Sequence, residues 1–347
     1  MDLLSNEHQL SVLGAPYLRL IGFSYVFNML SSLYASAQRS IENPHFGMKL
    51  FGFSTLLNTG LNYLLIFGHW GFPALGITGA AIATLLARVA EFIICVIYAL
   101  RCKALPILPR CFFHPGGEMV RKFVKYSSPV VFNETAWGLG NSLLTVILGY
   151  TQNSVQMLSA NAVMGNIHRL CLVVCFGLGA ATAVIVGKSI GRGDTHDQVM
   201  DLSLGLLQFT FLVGLGLAAI CLAMVPTVFV PVIFPLFKLT GETAAIATAL
   251  AVTAFVAIPL HAYSISAITG VLRSGGDVVW ATALDLSPQW LVCLPLTALF
   301  ALVLHAGCWP ICIAMQAECL LKVPLCIFRI RRGRWIHNVT LHEGVLL

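Results

Sequence analysis

Glu134 stands about nine residues beyond Lys125 in the apolar stretch "SSPVVFNETAWGLGNSLLTVILG", hence roughly 13 Å along a helix rising 1.5 Å per residue. That is near the middle of a hydrocarbon core about 30 Å thick. A charge there costs several kcal/mol unless it is paired or faces a cavity, so it marks a site by default. A carboxylate at that depth suits uptake and release of a proton, or binding of a cation in a proton's place. Pro129, one turn earlier, can kink the helix and free a backbone carbonyl.

Other polar groups interrupt apolar runs. Asn58 and Asn62 are spaced i, i+4 and project from one helical face. Their amides can offer carbonyl oxygens to a cation and donors to a substrate, or bond one helix to another. Arg88 with Glu91 and Glu318 with Lys322 can each pair within their own helix, which lowers the burial penalty and suits a structural role. Arg169, beside His168, has no acidic partner in its helix and is expected to meet Glu134 or line a cavity. Arg169, Arg88 and Glu91 are the substrate-cavity candidates. Asp285 falls about one turn inside the membrane surface and reads as an interface charge.

The remaining motifs exclude more than they suggest. "GKSIGRGD" has glycines and Lys188 but neither the spacing of a phosphate loop nor a preceding strand. There is no Ser/His/Asp or H-E-x-x-H arrangement, so the chain is not read as an enzyme and its energy source would be an ion gradient. Eleven cysteines lie mostly in apolar segments. Cys171 with Cys175 and Cys308 with Cys312 have one-turn spacing, but without His or carboxylate partners they read as buried thiols, and no metal site is assigned. No basic stretch interleaved with aromatics suggests nucleic acid. "MDLLSNEHQ" lacks the basic start of a signal peptide.

The elements that must position these groups follow from composition. Hydrophobic residues make up 58%, charged residues 10%, and mean hydropathy is +0.87, against about 25% charge in a soluble domain. This is an all-α polytopic membrane protein. Windows of about 20 apolar residues give spans at 13–37, 47–68, 76–100, 122–149, 159–187, 202–233, 244–272, 281–304 and 308–328. One alternating set of connections carries Arg39, Lys49, Arg101, Lys103, Arg121, Lys188, Arg273 and the arginines from Arg329 to Arg334, whereas the other carries only Lys238. The positive-inside rule places the first set and the C-terminus in the cytoplasm, with Met1 outside.

The chain also repeats itself. Sliding it along itself puts Arg39-Ser40 on Arg273-Ser274, the first three spans on the last three, and "HWGFPALG" near "HAGCWP". Two parallel six-helix lobes related by an axis along the membrane normal are the natural reading. The expected division is a partial first lobe at 1–100, a cytoplasmic linker at 101–121 and a complete second lobe at 122–347. The linker holds prolines, glycines and most of the basic charge, which sets topology and can meet anionic lipid head groups. By the repeat, roughly 115 residues and three spans are expected to precede Met1.

"LLNTGLNYLLIFGHWGFPALGITGAAIAT", "LSANAVMGNIHRL", "VGKSIGRGD", "GVLRSGGD" and "RWIHNVT" together resemble the multidrug and toxic compound extrusion (MATE) family of cation-coupled exporters. The resemblance implies a two-lobe bundle of twelve helices, of which about nine are in this chain. It implies that Glu134 is the family's seventh-helix coupling acid, and that Asn58 and Asn62, with Thr84 as neighbour, lie in the first-lobe cavity. The second of those positions is an amide here, where some members have Asp as part of a cation site. The tenth-helix acid of the Na+-type exporters falls near Ala262, between His261 and Tyr263. The family's first-helix Asp would precede Met1.

The expected function is therefore a plasma-membrane antiporter, monomeric and without a cofactor, exporting organic and often cationic compounds in exchange for H+ or Na+. A lipid-linked oligosaccharide flippase of the same superfamily and a nonfunctional fragment are the alternatives. A flippase would hold several cavity cations for pyrophosphate.

Overall fold

The computed structural model describes residues 8–102 and 117–336, and among these every regular element is a helix. In chain order they are α1 (His8–Ser40), α2 (Pro44–Phe67), α3 (Gly76–Arg101), α4 (Gly117–Gly149), α5 (Ser154–Arg192) and α6 (His196–Met224), continued in wide turns to Leu236. Then come α7 (Glu242–Ile265, continued to Leu272), α8 (Val278–Pro288, continued to Val303), α9 (Cys308–Met315) and α10 (Ala317–Arg331). Among the described residues seven rods are long and apolar enough to cross a membrane: α2, α3, α5, α6, α7, α8, and α9 with α10 taken together. α1 and α4 are 33 residues long each, so all nine expected spans fall on helix. The last is broken at Gln316, which the hydrophobic window did not reveal.

The chain divides into two compact units, Met1–Gly116 and Gly117–Leu347. The expected linker at 101–121 lies largely outside the described residues. Its first residue ends α3 and its second caps it, and from Gly117 it is already α4, so that helix starts before the expected 122.

Local chemistry sets the ends. α2 begins on Pro44, whose missing N–H costs nothing in a first turn, and stops at Gly68 in the left-handed conformation. α6 opens with a capping box in which Thr195 and Gln198 satisfy each other's backbone N–H. Pro231, Pro288 and Pro295 lie in or beside the wide-turn stretches of α6 and α8, where a ring cannot donate to the helical ladder.

In the second unit α7 is the central helix: 56% of its most apolar window is buried, against 22–33% for the other spans of this unit. Its inward face is lined by small residues such as Ala247, Ala251 and Ala262, which lets neighbours approach closely. At the crossing with α6, a Cβ on Gly214 would sit 2.9 Å from that of Ala262, so only glycine fits.

The internal repeat is written in backbone geometry. At the α1–α2 turn the amide of Glu42 donates to Arg39 O at 3.0 Å and that of Asn43 to Gln38 O at 2.9 Å. At the α7–α8 turn Gly276 donates to Arg273 O at 3.2 Å and Asp277 to Leu272 O at 3.0 Å. The left-handed position is Glu42 (φ 62°) in one and Gly276 (φ 86°) in the other; Gly275 does not take it. The next residue ties the turn to the last helix of its own half: Asn43 Nδ2 donates to Tyr98 Oη at 3.1 Å, and Asp277 Oδ2 accepts from Arg329 Nε at 2.7 Å. The following reversals also match, with positive φ at Trp70 (57°) and His305 (45°).

Candidate functional site

In the second unit, four helices bring five charged side chains into one chain of contacts. Arg273, at the end of α7, donates from Nη1 to Glu134 Oε1 on α4 at 3.1 Å, and its Nη2 lies 4.0 Å from Asp285 Oδ2 on α8. Asp285 Oδ1 meets Lys322 Nζ on α10 at 2.9 Å, and its Oδ2 accepts from Asn133 Nδ2 at 2.8 Å. Lys322 also approaches Glu318 Oε2 at 3.3 Å. Glu134 is 60% exposed, whereas the other four members are largely buried, Lys322 most of all at 6%. With three carboxylates and two cations, the network is formally one positive charge short of neutral. It lines a cavity of about 100 Å³ together with His261.

These positions revise several expectations. Glu134 was expected to be buried, but its side chain is largely exposed on the surface of its unit and shared with Arg273. Arg169 does not meet Glu134: it is exposed, does not line that cavity, and no ion pair to it is found among the described residues. Asp285, expected as an interface charge, is the hub of the network. The Glu318–Lys322 pair forms, but Lys322 is claimed by Asp285 as well. Arg273, expected only to mark the cytoplasmic turn, carries the contact to Glu134.

Beside the network, His261 on α7 lies within 3.2 Å of Gln316 Oε1 and 3.1 Å of Cys319 Sγ. Its ring is edge-on to that of His168 on α5, with centroids 5.4 Å apart, and His168 Nε2 is buried without a partner. His261, Glu318 and Cys319 offer donor atoms all within 4.8 Å of one another. Sequence spacing gave no sign of this cluster because His261 on α7 is far in the chain from Glu318 and Cys319 on α10.

In the first unit Asn58, Asn62 and Thr84 do meet. Asn62 Nδ2 donates to Asn58 Oδ1 at 3.1 Å, and Asn58 Nδ2 reaches Thr84 Oγ1 on α3 at 3.4 Å. Asn62 Oδ1 is left buried and unpaired, an acceptor free for a cation or a donor. One turn further along α3, Arg88 Nη1 pairs with Glu91 Oε2 at 2.5 Å. Glu91 is fully buried and its Oε1 has no hydrogen-bond partner, whereas Arg88 is 33% exposed.

Comparison with known proteins adds the wider context. The MatE family model matches residues 1–64 and 129–299. The uncharacterized transporter YisQ of Bacillus subtilis (strain 168) is 26% identical over 283 residues, 82% of this chain and 60% of that protein. The probable multidrug resistance protein YoeA of the same organism is 24% identical over 85% of this chain and 62% of its own length. The chain thus spans under two thirds of either relative. An outward-facing multidrug resistance MATE transporter of the MOP superfamily shares the fold with a TM-score of 0.83, at 15% identity over 96% of this chain and 72% of that one.

Proposed function

The chain belongs to the MatE family, and on that premise we propose that it works as a secondary active exporter, exchanging H+ or Na+ for organic, often cationic, compounds at the plasma membrane. The observation that carries this reading is Glu134. Its carboxylate is largely exposed on the surface of its unit and is held by a single arginine in a network that formally lacks one positive charge.

The chemistry follows from competition. A cation arriving at Glu134, whether a proton or Na+, neutralises it and loosens Arg273, which already stands 4.0 Å from Asp285 and turns to it. Ion binding at α4 thereby changes the tie between α7 and α8. That is a differential contact of the kind alternating access needs, since an ion shifts a conformational equilibrium only by binding one state better. The cavity of about 100 Å³ admits ions and a few waters, well below the 300–1,000 Å³ of a drug site. It therefore serves coupling, and the organic substrate binds elsewhere.

A flippase for anionic lipid-linked sugars fits less well, because Arg273, Lys322 and Arg88 are committed to carboxylates and Arg169 alone of the candidate cations is without an ion pair among the described residues. The test is efflux of a cationic dye from cells or proteoliposomes under imposed pH or sodium gradients. Gradient-driven efflux that Glu134→Gln abolishes supports the reading; efflux indifferent to both gradients, or to that substitution, rejects it.

A further inference from the structure

We propose that His261, Glu318 and Cys319, with His168 as a further donor, form a binding site for a borderline-soft divalent transition-metal ion of the Zn2+ class.

The donor set is the first argument. An imidazole, a thiol and a carboxylate suit Zn2+ and its neighbours rather than Mg2+ or Ca2+, which take oxygen alone. Their ligating atoms already lie within 4.8 Å of one another, and Cys319 Sγ is 3.1 Å from His261 Nε2. Ligands held about 2.0–2.3 Å from one tetrahedral ion are some 3.3–3.8 Å apart, so closure needs only small adjustments. His168 supplies the second argument. Its Nε2 is a buried polar atom without a partner, and its ring stands edge-on to that of His261 with centroids 5.4 Å apart.

Charge is the third argument, and it is independent of geometry. The adjoining network has three carboxylates against two cations, a formal excess of one negative charge, with Glu134 exposed and the other four members largely buried. A divalent ion that binds Cys319 as thiolate, its proton released to solvent, adds one net positive charge and brings the cluster to neutrality. Lys322, 3.3 Å from Glu318, loses that partner to the metal but keeps Asp285 at 2.9 Å. The helices joined are α5, α7 and α10, so occupancy would lock them together. The inference does not depend on the transport reading, and its test requires no transport.

The purified full chain in detergent is titrated with Co2+, whose thiolate complex shows a ligand-to-metal charge-transfer band in the near ultraviolet, and then with Zn2+ in competition. A stoichiometric band is expected that Zn2+ removes, that Cys319→Ser abolishes and that Cys326→Ser, on the same helix, leaves in place. His261→Ala should weaken binding by more than about tenfold. X-ray absorption at the zinc edge of the unmutated protein guards against misfolded variants: one sulfur at ~2.3 Å with nitrogen or oxygen at ~2.0–2.1 Å is expected. A shell without sulfur, or a band that persists in Cys319→Ser, overturns the proposal.

Discussion

Arg273 Nη1 lies 3.1 Å from Glu134 Oε1 although 139 residues separate them in the chain. The guanidinium is 16% exposed and the carboxylate 60%, so the pair sits at the edge of a buried network with its acid turned outward. This lets an ion from outside compete with an internal cation for the same oxygen. Arg273 Nε has no partner of its own, so the side chain is held by one end and can turn.

Glu134→Gln keeps size and hydrogen bonding but removes the charge. Gradient-driven efflux is expected to fall at least about tenfold, equivalent to ~1.4 kcal/mol. Dye binding to the purified protein should stay within a factor of about two or three. Measuring both separates lost coupling from lost binding.

Lys322→Met strands Asp285 and Glu318 in the protein interior. Removing one partner of a buried pair costs about 3 kcal/mol, so a clearly lowered unfolding temperature in detergent is expected. The double variant Lys322→Met/Asp285→Asn should recover part of the loss, because it removes the uncompensated charge along with its partner. Equal stability of the single and double variants would count against the network.

Asn58→Leu breaks the contact of α2 with Thr84 and leaves Asn62 without its acceptor. If these amides only hold helices together, unfolding shifts by about 0.6–1 kcal/mol and coupling is unchanged. Coupling that fails at nearly unchanged stability would instead assign them to the ion path. The unpaired Asn62 Oδ1 favours the second outcome.

Gly214→Ala forces a methyl into the α6–α7 crossing, 2.9 Å from both Ala262 Cβ and Pro259 Cα. Overpacking of this kind costs about 1–3 kcal/mol. Gly216→Ala, two residues along the same helix, meets nothing within 4 Å and should be neutral in the same melting assay.

The helices were legible because bilayer thickness demands about 20 apolar residues per span, a signal local in the chain. The ion network was not. Nothing near Arg273 in sequence points to Glu134 or Asp285, since which helices lie side by side is settled by packing, for instance by the small residues on α7. The direction of Arg169 was open for the same reason: it lacks an in-helix acid, and the structure exposes it on the surface of its unit without an ion pair to Glu134. Asn58 with Asn62 was readable from spacing, whereas Thr84, the partner of Asn58, came from family resemblance.

The α1–α2 and α7–α8 turns share a left-handed residue and a pair of backbone hydrogen bonds, and differ in what fastens them. One is held by an amide on a phenol, the other by a carboxylate on a guanidinium. Two copies of one ancestral half-length gene would leave this signature: inheritance kept the course of the main chain, while mutation was free to exchange the fastening.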